Sequence, residues 1–173
     1  DFFRSISETI QNNAGLSLTF FSGYDCDSLA FEKVTNFAQH ALSFFKEHPG
    51  VEFELRTKSV NIETLLNLEP ISNCIVAFSL SPESVADVLD KKAPRVNKRI
   101  RAINKLAKSG WLVGLRLDPL IFCENWKGLY SELIEEVMAD LEIRNLHSVS
   151  FGPLRYPKKI YNTIAVLYPE EKL

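Results

Sequence analysis

Five short clusters of ionisable and hydroxyl residues punctuate the chain. They are Ser22-Gly23-Tyr24-Asp25-Cys26-Asp27-Ser28, Arg56-Thr57-Lys58-Ser59, Ser79-Leu80-Ser81 with Glu83 close behind, Arg116-Leu117-Asp118-Pro119, and Pro153-Leu154-Arg155-Tyr156. Taken singly, each has a plain structural use: a serine caps a helix, and Asp-Pro opens a turn. Taken together they offer a thiol, an ammonium, hydroxyls, carboxylates and guanidinium groups. Such a set suits a mixed-charge pocket for a zwitterionic or nucleotide-like ligand. Lys58 and Asp118 are expected to face each other across its mouth, because a buried cation needs a carboxylate or an anionic ligand.

Other chemistries are poorly served. His40 and His48 lie eight residues apart on one predicted helix, which is more than two turns and too far to share an ion. His147 is isolated, and neither C-x-x-C nor H-E-x-x-H occurs, so no metal site is expected from this chain alone. There is no nucleophile elbow and no phosphate-binding glycine loop of the P-loop type. Cys26, Cys74 and Cys123 are odd in number and widely spaced, which gives no disulfide framework and points to a reducing, cytoplasmic setting.

The clusters need a scaffold, and the pattern of the chain supplies one. Short apolar runs at 16–21, 51–55, 74–78 and 111–117, with a weaker one around Val149 and Phe151, read as strands. Between them lie amphipathic stretches read as helices: 2–13, a long one at 29–48 closed by Pro49-Gly50, a short one at 61–68 with Asn61 as its N-cap, a turn from Pro82, 95–108, 124–141 and a last one at 158–167. Strands alternating with helices imply right-handed βαβ units and a parallel sheet. The expected class is therefore α/β, either an open sheet or part of a (β/α) barrel, in a single domain over 1–173 without a linker. In such folds the working groups sit at the C-terminal ends of the strands, which is where all five clusters fall.

Composition is compatible with this. The 173 residues are 46% hydrophobic and 24% charged, with a net charge of −2, enough to bury a core without a metal or disulfide staple. No membrane-spanning stretch and no basic-then-apolar leader is visible. The chain begins with Asp1 rather than Met, which raises the expectation of a processed product or a fragment. Residues 91–108 contain no acid. Lys98, Arg101, Lys105 and Lys108 share a helix face opposite Val96, Ile100, Ile103 and Ala107, either as a solvated face or as a contact for a phosphate backbone. A second basic cluster, Arg155, Lys158 and Lys159, comes after the last strand.

At this point the residues resemble a known family. Ser22 through Ala30 is similar to the loop after the second barrel strand in the spore photoproduct lyases, radical S-adenosylmethionine enzymes that repair a thymine photodimer. Leu55-Arg56-Thr57-Lys58-Ser59 resembles that family's strand with a T-K pair, and Phe78-Ser79-Leu80-Ser81-Pro82-Glu83 its F-S-[IL]-N-[AP]-[DE] stretch. Pro94 through Ala102 resembles its P-x-x-x-x-R-I-x-A pattern, and Ala107, Gly110, Trp111, Gly114 and Asp118-Pro119 resemble its AGYP-x-G-F-x-x-[AD]-P-[IL] pattern. Glu124-Asn125-Trp126-Lys127-Gly128-Leu129-Tyr130 resembles E-G-W-x-x-G-Y, and 151–159 resembles F-x-x-x-R-[FY]-x-x-[PK].

The resemblance implies a parallel, partial (β/α)6 TIM-like barrel missing its first strand. It implies that Lys58, Ser79 and Asp118 line the S-adenosylmethionine pocket with Cys26 beside it, and that Arg155, Lys158 and Lys159 lie near DNA. Tyr24 falls where the best-known members carry a hydrogen-donating cysteine, and Cys26 comes two residues later, so either is a candidate donor. Members hold a [4Fe–4S] cluster on a C-x-x-x-C-x-x-C loop, three thiolates leaving one iron open to the ligand. That motif is absent, so the cluster segment and first strand are expected upstream of Asp1, and the chain alone is expected to be inactive. The intact protein would reductively cleave S-adenosylmethionine to a deoxyadenosyl radical, drawing on an electron donor such as a flavodoxin or ferredoxin. Two other readings of the residues stay open: a non-catalytic DNA- or nucleotide-binding barrel, and an unrelated phosphate-binding barrel enzyme.

Overall fold

Strand β2 (Val51–Thr57) sorts its side chains with a period of two. Val51, Phe53, Leu55 and Thr57 are buried on one face, while Glu52, Glu54 and Arg56 occupy the other. The computed structural model describes residues 2–23, 26–155 and 157–169, apart from the side chain of Lys158. Strands β1 (Leu18–Ser22), β2, β3 (Cys74–Ser79), β4 (Leu112–Leu120) and β5 (Leu146–Pro153) pair in parallel in the order β1-β2-β3-β4-β5 and curl into a half-barrel. The central strand β3 is buried on both faces, as its unbroken apolar run predicts. Sequential order with parallel pairing requires a crossover between each pair, and each crossover carries helix.

The helices are α1 (Phe2–Asn12), α2 (Glu32–Thr35), α3 (Phe37–Lys46), α4 (Glu63–Leu66), α5 (Glu83–Leu89), α6 (Val96–Lys108), α7 (Trp126–Ala139) and α8 (Lys158–Leu167). The core lies between them and the outer face of the sheet. Phe45 of α3 stacks on Phe53 at 4.3 Å between ring centroids. Trp111 is fully buried and donates its indole N–H to the Leu65 carbonyl at 3.1 Å, which fastens α4 to the start of β4. Cys74 lies wholly inside this core, and burial pushes its thiol far above the ordinary range, so it is a packing residue.

Three local differences from the sequence reading have physical causes. The helix expected over 29–48 is broken at Asn36, which adopts a left-handed conformation with φ 49°. The apolar spacing of Phe31, Val34, Phe37, Ala38, Ala41, Leu42 and Phe45 runs straight through the break, although Phe31 and Val34 are exposed. What replaces the lost helical bonding is the buried Glu32 carboxylate, which accepts the Ala38 backbone N–H at 2.9 Å and so caps α3. Asn61 does not cap α4; its side-chain amide donates to the carbonyls of Leu29 and Ala30, tying the loop after β1 to the segment after β2. Strand β5 is longer than its weak signal suggests. Its inward positions are Ser148, Ser150 and Gly152, so it lacks apolar alternation, and its pairing with β4 is what defines it. Among the described residues no helix is long and apolar enough to cross a membrane.

Candidate functional site

The inner face of the half-barrel is polar, and one buried ion pair organises its floor. Arg116 of β4 reaches across to Glu54 of β2, with Nη2 2.5 Å and Nε 3.2 Å from the two carboxylate oxygens. Register explains the path: Glu54 pairs with Ile75, Ala77 with Gly114, and Ser79 with Arg116, so the arginine must fold back over Gly114. A Cβ on Gly114 would lie 2.8 Å from Arg116 Nη2. The same guanidinium donates to Ser148 Oγ at 3.1 Å, and Arg56 Nε donates to Glu54 at 3.1 Å. Opposite charges taken out of water this way hold only if their donors and acceptors are matched, as they are here.

Above this floor the strand ends form a rim. The loop after β1 turns at Gly23, whose φ of 83° favours glycine, and a Cβ there would collide with the Arg56 carbonyl and lie 2.6 Å from Ser28 Oγ. Asp27 then fixes the loop. Its Oδ1 accepts the amides of Leu29 and Ala30, each at 2.9 Å, and the Thr57 hydroxyl at 2.7 Å; its Oδ2 accepts the Lys58 amide at 2.6 Å. One carboxylate thus ties the end of β1 to the end of β2 and sets exposed Cys26 beside Lys58. Tyr24 lies outside the described residues.

Lys58, the residue after β2, points its ammonium to Asp90 in the segment between α5 and α6. Asp90 also pairs with Arg99 at 2.7 Å. Arg99 is almost completely buried and donates to the carbonyls of Pro94 (2.8 Å) and Ser79 (3.1 Å). Burial pushes the Asp90 carboxyl up, but the bonds from Lys58 and Arg99 outweigh it and hold the group below its ordinary value. Asp118, near the end of β4 and joined to Pro119 by a cis bond, rests its carboxylate on Gly152 and lies 3.7 Å from Arg155 Nη2.

Three adjoining clefts run along the rim. One of about 200 Å³ is lined by Lys58, Ser79, Ser81, Asp90 and Asp118, with Val85, Leu89 and Ile121 as its apolar wall. The second, of about 410 Å³, adds Cys26, Asp27 and Arg56. The third, of about 320 Å³, runs between Arg56, Asp118 and Arg155. The structure therefore brings Cys26, Lys58, Ser79 and Asp118 together, with Arg155 at the far side of Asp118. Lys159, on α8, lines none of these three, and the side chain of Lys158 lies outside the described residues. Lys58 and Asp118 share a cleft but are not each other's counter-ions. Asp90 serves Lys58 and Arg155 serves Asp118, and neither pairing is readable from local spacing.

Asp90 and Glu54 lie outside the clusters that the sequence singles out, and Asp27 lies within one without a role of its own. Asp27 carries a usable signal, an acid with amides at i+2 and i+3 in a strand-to-helix loop. Glu54 carries no such signal, since it alternates along β2 with the apolar positions just as Glu52 and Arg56 do, on one face with them. Among the described residues no group of three or more His, Cys, Asp and Glu converges.

A family model described as spore photoproduct lyase matches residues 1–173. The spore photoproduct lyase of Clostridium acetobutylicum is 24% identical over 157 residues, covering 90% of this chain and 46% of that protein. That of Bacillus subtilis is 25% identical over 149 residues, covering 85% and 44%. A solved mutant spore photoproduct lyase with bound AdoMet and dinucleoside spore photoproduct superposes with TM-score 0.85 at 20% identity, over 99% of this chain and 51% of that one. A spore photoproduct lyase complexed with dinucleoside spore photoproduct also gives 0.85, at 22% identity. The chain spans about half the length of the relatives it matches.

Proposed function

This chain belongs to the spore photoproduct lyase family, and on that premise we propose that the whole protein is a radical S-adenosylmethionine enzyme that repairs a photolesion in DNA. In this reading the 173 residues are the larger, C-terminal part of its barrel. The observation that carries it is the convergence of Lys58, Ser79 and Asp118 on one cleft at the strand ends of a half-barrel that overlays the solved lyases.

The donor set suits the ligand. An α-amino acid presents one carboxylate and one ammonium, and the cleft presents Lys58 and Asp118 to receive them, with Ser79 between as a neutral hydroxyl. S-adenosylmethionine, when bound, supplies the radical chemistry. This chain's part is to bind, orient and enclose. Asp90 and Arg99 fix where the Lys58 charge stands, Gly152 fixes Asp118, and Cys26 stands at the cleft with an exposed thiol suited to giving a hydrogen atom to a substrate radical. Arg155, with Lys158 and Lys159 behind it, would meet the DNA.

The iron–sulfur cluster does not fit the residues present. Cys74 is a neutral core thiol, and Cys26 and Cys123 are ninety-seven residues apart with no convergent third ligand among the described residues. Its ligands, in this reading, lie outside these 173 residues, and the electron donor would meet the protein there.

Calorimetric titration of S-adenosylmethionine into the protein tests the reading. Binding that weakens about tenfold or more, about 1.4 kcal/mol, in each of Lys58→Ala and Asp118→Asn supports it. Binding indifferent to both substitutions, or no binding, overturns the assignment of the cleft.

A further inference from the structure

The stretch from Lys91 to Lys108 holds eight basic residues and no acid, in a chain of net charge −2. One of the eight, Arg99, is buried and spent on Asp90, Pro94 and Ser79. The other seven are exposed. Among the described residues Lys98, Arg101, Lys105 and Lys108 make no ion pair.

The direction of α6 gives the charge a meaning. Its first turn is bolted to the rim, because Arg99 binds the Ser79 carbonyl and the preceding Asp90 touches Lys58 in the cleft. Its last turn lies at the opposite end of the barrel, where the Ala107 carbonyl accepts the side-chain amide of Asn145 just before β5 begins. Lys92 and Arg95, just before α6, therefore lie toward the rim end of the barrel, and the basic row runs from there along the outside of the barrel. Ile100, Ile103 and Leu106 are buried against the sheet, which holds the opposite face of the helix toward solvent. Glu63 on α4 borders the row but is engaged by Lys33 at 3.4 Å, and Glu83 is engaged by the Val96 amide at the start of α6.

We propose that this face of α6 is a track for the phosphate backbone of a nucleic acid whose lesion-bearing nucleotide occupies the mouth. The proposal rests on the reading of the cleft given above. Lys98, Arg101, Lys105 and Lys108 fall at i, i+3, i+7 and i+10, which at 1.5 Å per residue covers about 15 Å. One strand of a duplex carries a phosphate at every nucleotide, so a row of that length spans a few successive phosphates. A free phosphate or a mononucleotide has no use for a row this long. Continuity with the rim end, and Arg155 on the mouth's other side, favour a polymer that passes over the site.

The test is duplex binding by fluorescence anisotropy across a salt series, with the protein and its Lys98→Glu/Arg101→Glu/Lys105→Glu variant. All three positions are exposed, and circular dichroism confirms the fold. The expected result is a salt-dependence slope reduced by about 0.9 for each phosphate no longer neutralised, about 2.7 in all, with titration of S-adenosylmethionine unchanged. An unchanged slope overturns the track and leaves the reading of the cleft standing, as does failure of the unmodified protein to bind duplex at all. Tighter binding to poly-L-glutamate than to duplex assigns the face to an acidic protein and also overturns it. The parallel S-adenosylmethionine titration reports on the cleft alone, so the two readings fail separately. A Lys98→Gln/Arg101→Gln/Lys105→Gln variant adds no negative charge, so it separates missing cations from repulsion: it must show the same fall in slope.

Discussion

The carboxylate of Asp118 lies directly against Gly152, so closely that a Cβ on Gly152 would stand 2.6 Å from Asp118 Cγ. The two residues belong to neighbouring strands, and the absence of a side chain on one fixes the position of the other. Gly152→Ala is therefore expected to move Asp118 without removing it. On the proposed reading, S-adenosylmethionine affinity in this variant falls by about as much as in Asp118→Asn, roughly tenfold. Calorimetry on both variants checks this; a Gly152→Ala protein that binds normally shows that the carboxylate has room to turn.

Asp27 accepts four donors with one carboxylate. Asp27→Ala leaves three backbone amides and a hydroxyl to find water, and is expected to cost about 2–4 kcal/mol in urea unfolding, several unsatisfied donors at about 1 kcal/mol each. Hydrogen exchange at the Lys58 amide should accelerate in the same variant well beyond the global change. Uniform loss of protection across the sheet contradicts a local role for Asp27.

Arg116→Met strands the buried Glu54 with Arg56 as its remaining neighbour, which places the expected destabilisation near about 3 kcal/mol, the low end for a broken buried pair. Combining it with Glu54→Gln should cost at least about 1 kcal/mol less than the sum of the single changes, because the groups touch each other. Chemical denaturation of the two single variants and the double one measures this, and strict additivity refutes the coupling. Gly114→Ala probes the same pair from below by pushing the guanidinium out of its path.

The Lys58–Asp90–Arg99 cluster predicts an acid limb. Asp90 is held below its ordinary value of 3.8, so above that pH the group contributes stability in full. As pH falls below about 3.8 the unfolded chain takes up this proton first, and the contribution is lost through the folded value. Asp90→Asn lacks the contribution at every pH. The gap between the two proteins in denaturant midpoint should be widest at neutral pH and close progressively below 3.8. A constant gap across that range shows that Asp90 stabilises by packing alone.

Much of this molecule is legible in its sequence because period and punctuation are local. The five strands, the parallel order and the gathering of Cys26, Lys58, Ser79 and Asp118 at one end can be read from apolar runs ending in polar clusters. The partnerships cannot. Asp90 lies thirty-two residues from Lys58 beside a basic stretch, and Glu54 sixty-two residues from Arg116. Only the curl of the sheet and the fold-back over Gly114 bring them within reach. The break at Asn36 is hidden for the opposite reason: the stripe of Phe37, Ala38, Ala41 and Leu42 continues the pattern before it, and a lone asparagine is a faint mark against so regular a background.

Floor and rim are held by separate means. The Glu54–Arg116 pair is braced within the sheet by Gly114 and Ser148, whereas the groups at the mouth are set by Asp27 and Asp90 from loops and by Gly152 from just before the end of β5. Exchanges at positions such as Cys26 or Ser79 then leave the braced layer beneath them intact. Such a scaffold can drift in substrate preference over evolutionary time while its folding stays untouched, and divergence among its relatives is expected to concentrate in the loops above that layer.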